Sequence, residues 1–435
     1  MIYKFIDNSG TFVVKNAHNI SYLYFPLTNS KGTLLSSISP NLGGDIKQDN
    51  EHFLMPPASI EDIKNNPLSR REFFLKLSSH KNKIIRTSQA QETTLEAGIL
   101  YHKMIYYYPE ASITVITFIP YNLDVEITHI TVESKRAIEF VPTFFMPLYG
   151  RGENNLRDHR HVTSLLNRIK LDKYGIILKP TMSFNERAHS INETIYFVLG
   201  YSGYNGKKEA PAGQFPTLFD FCKEEGNLFH PAAIYKNTPL SKKRASFDGK
   251  EACAALRFNK THLKKGNAAQ YVFIAGITKD KDYPKKVFTK LDSTNKINSY
   301  LNRTKSYWQN TGIEKNRPKK KFNITSSNKN YNGWLKWVIL QPTLRKLFGC
   351  SFLPHFDYGK GGRGWRDLWQ DTLSLLLIDT ESTRKLIINN FKGVRIDGSN
   401  ATIITRNGSF ISDRNSIPRV WSDHGVWPYF ALREY

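Results

Sequence analysis

Residues 101–132 read YHKMIYYYPEASITVITFIPYNLDVEITHITV. Within them Tyr101 to Tyr108, Ser112 to Ile119 and Val125 to Val132 are short runs rich in β-branched and aromatic residues, separated by turn formers. Such side chains fill a pleated, half-buried surface well, so the pattern predicts strands joined by tight connections. Ile191 to Leu199 and Tyr271 to Ile277 repeat the grammar. Many strands at this spacing without alternating long helices predict an antiparallel β-sandwich, not a βαβ fold. We place this N-terminal domain at residues 1–295.

Further along, the character of the chain changes. All seven tryptophans, Trp308, Trp334, Trp337, Trp365, Trp369, Trp421 and Trp427, lie beyond residue 300. Asn310 to Asn330 is dominated by Lys, Asn and Ser, the signature of an exposed connection, so residues 296–330 read as a linker. From Asn332 the apolar residues Trp334, Leu335, Val338, Ile339, Leu344 and Phe348 recur at three- and four-residue steps, which predicts an amphipathic helix with a kink at Pro342. Arg366 to Leu377 and Thr380 to Phe391 read as further helices, so residues 331–435 form a second, helical domain. No internal repeat of solenoid period is present.

Composition excludes several classes. With 40% hydrophobic residues the 435-residue chain can bury real cores, which argues against a disordered or fibrous protein and for two or three domains. No apolar run approaches the roughly 20 residues that cross a bilayer, and the start MIYKFIDNSGTFVV lacks a signal-peptide layout. The expectation is a cytoplasmic protein without membrane contact. Cys222, Cys253 and Cys350 are widely spaced and form no CxxC pair, so neither a disulfide framework nor a metal site is expected. The formal net charge of +24 attracts polyanions, phosphorylated ligands or acidic surfaces. The charge is nevertheless spread along the chain, and its densest runs, Lys242-Lys243-Arg244 and Arg317-Pro318-Lys319-Lys320-Lys321, sit in polar surroundings and read as solvated loops. A basic nucleic-acid-binding protein is therefore the weakest of the readings kept open.

The segment richest in chemistry is Pro354 to Asp371, PHFDYGKGGRGWRDLWQD. Gly359, Gly361, Gly362 and Gly364 form a loop whose backbone can approach a ligand closely, and it delivers Arg363, Arg366, Asp367, Gln370 and Asp371 at or just inside a helix start. Carboxylates and Arg forks bind sugar hydroxyls in pairs, and Trp365 and Trp369 offer flat faces for a pyranose ring. The alternative is a structural loop with an Arg–Asp bridge and two core tryptophans. A Walker loop is excluded because Gly-Lys is not followed by Ser or Thr. A second cluster, Asp413 to Pro428, crowds Arg419, Trp421, Asp423, His424 and Trp427; Asp423 or Ser422 either caps the last helix or faces the ligand. A third, Tyr149-Gly150-Arg151-Gly152 with Asn154, Arg157, Asp158, His159, Arg160 and His161, reads as an interdomain hydrogen-bond network or part of a binding site.

Three strings, GKGGRGWRDLWQD, FKGVRIDGSNATII and DRNSIPRVWSDHGVWPYFAL, resemble in order the early catalytic domain of the cellobiose phosphorylase-like glycoside phosphorylases, especially the large members acting on β-gluco-oligosaccharides. YLYFPLTNSKGTLLSSISPNLGGDIK, FLMPPASIEDI and LYGRGENNLRDHRHVTSLLNRI resemble their N-terminal sandwich. The resemblance implies a β-sandwich joined by a helical linker to an α/α six-fold toroid, and a transferase in which inorganic phosphate cleaves the terminal glycosidic bond with inversion. It places Arg366 and Asp367 at the non-reducing sugar, with Arg363 nearest to a further Arg of the shorter enzymes. It implies β-gluco-oligosaccharide and phosphate as partners, no cofactor beyond that co-substrate, and an assembly that is often a homodimer.

Inverting hydrolysis needs one carboxylic acid and one carboxylate that activates water. In phosphorolysis the phosphate dianion is itself the nucleophile, so a cationic pocket replaces the base. In the resembled family the acid lies on a loop well beyond the counterpart of DHGVWP. A closed ring of twelve helices needs on the order of 250 residues, and residues 331–435 hold about four helices. The expectation is therefore an N-terminal fragment, inactive alone, which a complementary C-terminal polypeptide would complete. If the chain works alone, the acid is one of Asp357, Asp367, Asp371 or Asp423, and Asp371 and Asp423 stand best beside aromatic residues. The second reading is a carbohydrate-binding remnant without catalysis.

Overall fold

The structure is a computed structural model that describes residues 3–20, 24–78, 83–152, 160–185, 188–203, 208–236, 247–309, 324–348, 362–405, 410–411 and 422–435. The chain divides into two compact units, Met1–Lys4 with Phe12–Ser306, and Phe5–Thr11 with Tyr307–Tyr435.

The first unit is built on antiparallel sheets. The larger has ten strands in the order Lys4–Phe5, Phe12–Lys15, Glu92–Gly98, Tyr101–Tyr107, Ala111–Phe118, Val125–Ser134, Ala268–Thr278, Ile195–Ser202, Gly175–Leu178 and Ile169–Asp172. Its centre follows from alternation: in Ala111–Phe118 the residues Ala111, Ile113 and Val115 are buried while Ser112, Thr114 and Ile116 are only partly so. The smaller sheet runs Gly213–Thr217, Ala252–Arg257, Ile138–Pro147, Glu72–Leu77 and Ile84–Arg86, with Thr261–Leu263 also paired to Ile138–Pro147. The two sheets meet through aromatic side chains: Phe144 stacks on Phe273 with ring centroids 3.8 Å apart.

Two ion pairs lie inside this layer. Arg71 donates from Nε to Glu126 Oε1 at 2.6 Å and from Nη2 to Oε2 at 2.7 Å, with both side chains fully buried. Arg86 Nη2 reaches Glu72 Oε2 at 2.9 Å. Burial alone would raise the Glu72 carboxyl, yet Arg86, Arg70 and hydrogen bonds outweigh it and hold the group below its usual value.

Two helices follow the strands. α1 (Tyr283–Lys290) opens with Pro284, whose fixed φ suits a first helical turn, and α2 (Thr294–Gln309) runs on from it. Val287, Phe288, Leu291, Ile297 and Leu301 pack on Phe197, Leu199 and Val272 of the larger sheet. Residues 296–309 are thus helical, whereas the basic run at 317–321 and residues 242–244 lie outside the described residues. One expected strand is displaced. Ile191 ends a separate hairpin strand, Ala188–Ile191, and Asn192 Oδ1 accepts the Thr194 N–H in a local turn, so the next strand begins at Ile195.

The second unit holds α3 (Lys329–Phe348), α4 (Trp365–Leu376), α5 (Thr380–Phe391) and α6 (Val426–Glu434). α3 continues through Pro342. Near its start Gly333 lets the chain pass Phe5, since a Cβ there would come within 2.5 Å of that ring. The Trp337 indole donates to Gly10 O at 2.7 Å. Where a loop entering a helix was expected, Gly362–Gly364 is a strand paired with Ile403–Thr405, which pairs in turn with Phe410–Ile411. The described residues form no closed ring of helix pairs, and none of their helices is long and apolar enough to cross a membrane.

Candidate functional site

α4 sorts its residues by helical spacing. Trp365, Leu368, Trp369, Thr372 and Leu375 face inward, and Trp365, Leu368 and Trp369 join Ile387, Ala401, Ile404 and Ala431 in the core of the unit. Arg366, Asp367, Gln370 and Asp371 come up on the opposite side at the complementary positions. The strand before the helix fixes its entry: Arg363 pairs with Ile404, and the Trp365 N–H donates to Thr402 O at 2.8 Å.

Trp365 and Trp369 are 1% and 0% exposed, with rings edge-to-face at 5.6 Å, and neither presents an open face to a pyranose. Trp365 Nε1 donates to His424 O at 3.0 Å, so this indole fixes the approach to α6 from beneath. The sequence marks both residues as apolar at helical spacing, which is equally the signature of core.

Charged groups above this core are linked. Arg345, in the last turn of α3, donates from Nε to Asp371 Oδ2 at 2.9 Å and lies 3.6 Å from Asp367 Oδ1. Arg363 Nη2 lies 3.4 Å from the same Asp371 oxygen. Burial pushes the Asp371 carboxyl above its ordinary value, although Arg345 and Arg363 pull against it. Arg366 Nη1 donates to Asp423 Oδ2 at 3.3 Å, and that oxygen also accepts from Trp427 Nε1 at 3.1 Å. The Trp427 indole, with Arg366, holds the Asp423 carboxyl below the usual range. Two carboxylates of one site are thereby driven in opposite directions. Gln370 is exposed.

Asp423 uses its carboxylate on an indole, and the N-cap position of α6 is Gly425 without a side-chain cap, so the capping alternative is not what the geometry displays. His424 is buried beside Asn400, whose Nδ2 lies 3.0 Å from its Nδ1, and burial lowers its pKa. Arg345 escaped the sequence reading; a basic residue in a helix's last turn, the ordinary complement to the helix dipole, was the only signal available. Gly359, Gly361, Asp357, Arg419, Trp421 and Cys350 lie outside the described residues. Of the third cluster, Arg151 reaches Tyr149 O at 3.2 Å and Glu251 Oε2 at 3.2 Å and also bonds Thr163, all within the first unit. Asn154, Arg157, Asp158 and His159 fall outside the description, as do the side chains of Arg160 and His161. Among the described residues no three His, Cys, Asp or Glu side chains are grouped to hold a metal ion.

No protein-family model matches the chain. No curated protein sequence matches it either. Solved structures do. A bacterial glucoamylase complexed with acarbose superposes over 94% of this chain with a TM-score of 0.53 at 10% identity. A protein from the human microbiome provisionally assigned as a kojibiose phosphorylase covers 100% of it with a TM-score of 0.49 at 9% identity. The chain spans about half of these proteins' own length, 55% and 56%. The particular family suggested by the three sequence strings is therefore not shown; what is shown is a fold shared with that glucoamylase at 10% identity.

Proposed function

We propose that the α4 cluster binds a sugar, and that the chain belongs to a carbohydrate-processing enzyme of the inverting phosphorylase kind acting on β-gluco-oligosaccharides. Arg363, Arg366, Asp367, Gln370, Asp371 and Asp423 would take the hydroxyls of the terminal sugar, with Trp365 acting as the buried support under them. One observation carries this reading: on one side of α4, guanidinium and carboxylate groups hold one another in place while Asp367, Arg366 and Asp423 keep 37%, 52% and 37% of their side chains open to solvent. Such forks are pre-oriented, so a polyhydroxyl ligand meets donors and acceptors without the cost of ordering them.

Sugar binding comes first; cleavage adds a proton donor. Of the two carboxylates, Asp371 suits donation because burial favours its protonated form, whereas Asp423 stays ionised. Phosphate would enter as co-substrate, its charge matched by arginines such as Arg345 and Arg363. The test is calorimetric titration with cello-oligosaccharide, together with an assay for glucose 1-phosphate formed from oligosaccharide and phosphate. Saturable binding lost in Asp367→Asn supports the sugar site. Release of glucose 1-phosphate that disappears in Asp371→Asn supports the donor, whereas binding without any release favours the carbohydrate-binding reading.

A further inference from the structure

A cavity of about 630 Å³ lies beside the outermost strands of the larger sheet, lined in part by Arg168, Lys170, Lys179, Ile191, Asn192 and Phe247. It belongs wholly to the first unit and is independent of the α4 cluster.

Its charge follows from strand register. Arg168 and Lys179 exchange both backbone hydrogen bonds, at 3.2 and 2.9 Å, so the two cations stand directly opposite each other. The two-residue period of a strand brings Lys170 to the same side as Arg168. Like charges opposed in this way destabilise a sheet unless something lies between them. Two carboxylates also line the space, Glu193 and Asp248. Asp248 is engaged, accepting the Ile169 N–H at 3.0 Å and standing 3.9 Å from Arg168 Nε. Lys170 and Lys179 have no carboxylate partner among the described residues. Lysines on an edge strand discourage pairing with other chains, but that purpose needs no apolar-walled cavity between them. Here Ile169 and Phe247 are buried in the wall and Ile191 is 82% exposed at the rim. Asn192, 4% exposed, adds a side-chain amide near Tyr196 whose Nδ2 meets no acceptor at hydrogen-bond geometry among the described residues.

We propose that this cavity binds a small phosphorylated molecule with a ring-shaped body, the phosphate seated among Arg168, Lys170 and Lys179 and the body against Ile191 and Phe247. Point-charge lysines beside a guanidinium are the ordinary recognition of a phosphate; Arg168 Nη1 is spent on Leu165 O and Asn167 O, each at 2.9 Å, which holds the group in place and leaves Nη2 to the anion. An apolar wall with one amide donor suits the face and hydroxyls of a ring.

Calorimetric titration of the full chain with glucose 1-phosphate, inorganic phosphate and glucose tests it. Glucose 1-phosphate should saturate at millimolar concentration or below, bind more tightly than phosphate or glucose, and weaken as salt is added. The double variant Lys170→Ala/Lys179→Ala removes two exposed side chains, so its circular dichroism should match the parent while its affinity falls tenfold or more; Lys15→Ala/Lys265→Ala, which removes the same charge from exposed positions away from both sites, should leave the affinity unchanged. Unaltered affinity in Lys170→Ala/Lys179→Ala, phosphate binding as tightly as glucose 1-phosphate, or no saturation overturns the proposal. Loss in Asp367→Asn alone would move the anion to α4, overturning this site while sparing the sugar site.

Discussion

The sealed pairs of the sheet unit and the open pairs beside α4 spend their arginines differently. In the sheet unit Arg71 and Glu126 are sealed between layers at 0% side-chain exposure, and Arg86 meets Glu72 at 2% and 3%. In the helical unit Arg366 and Asp423 stay 52% and 37% open, and Arg345 and Asp367 31% and 37%. A sealed pair has no coordination left to offer, and removing one partner strands a charge in a low-dielectric interior. An open pair is worth little to stability because water screens it, but its remaining lone pairs and N–H groups are available to a ligand. The difference separates charge that holds the fold from charge that can do chemistry.

Glu126→Ala pushes hardest on that contrast. It leaves the Arg71 guanidinium buried without its carboxylate and should cost about 3–5 kcal/mol, read as a lowered urea midpoint. Arg366→Ala, at an open pair, should leave that midpoint close to the parent's. Equal losses in the two variants would erase the distinction.

A smaller effect is expected on ligand binding. Asp371→Asn keeps the shape but puts an amide where Arg345 and Arg363 share a carboxyl oxygen, and hydrogen bonds to charged groups are worth about 1.5–3 kcal/mol. Oligosaccharide affinity should therefore fall roughly tenfold to a hundredfold, and because Arg363 and Asp371 are each only 12% exposed the melting temperature should fall as well, though by less than in Glu126→Ala.

The third expectation concerns pH. Burial, with Arg71 nearby, lowers His102 from 6.5 to about 3, and burial lowers His129 to about 4. The unfolded chain binds these protons first, so their contribution is complete above about pH 6.5 and drains away as the pH falls toward 4 and then 3. Glu72, held below its usual value, adds a loss below its unfolded pKa near 4.5. Melting temperature should fall over this range, and His102→Gln should flatten the upper part of the slope. The smallest change belongs to Gln370→Ala, an exposed neutral side chain: sugar affinity should drop only a few-fold, with no change in the melt.

These contrasts also show what the sequence makes legible. The strands at 101–134 and 268–278 could be read because alternation and β-branching act locally and one face of each strand is buried. α4 and α5 could be read from three- and four-residue spacing. The strand at Gly362–Gly364 could not, since glycines carry no strand signal and its pairing with Ile403–Thr405 comes from about forty residues further on. For the same reason Arg345 was invisible as a partner of Asp371, and Trp365, equally consistent with stacking and with core, was decided only by what packs around it. The sequence could name the charged residues of the α4 side; which of them stay open is a property of the packing.

Titrating the full chain with cello-oligosaccharide at two salt concentrations bears most directly on the claim that the open charges of α4 form a sugar site. The account predicts saturable binding that hardly changes with salt and weakens at least tenfold in both Asp367→Asn and Arg366→Ala. Absence of saturable binding, or full affinity in both variants, would contradict it.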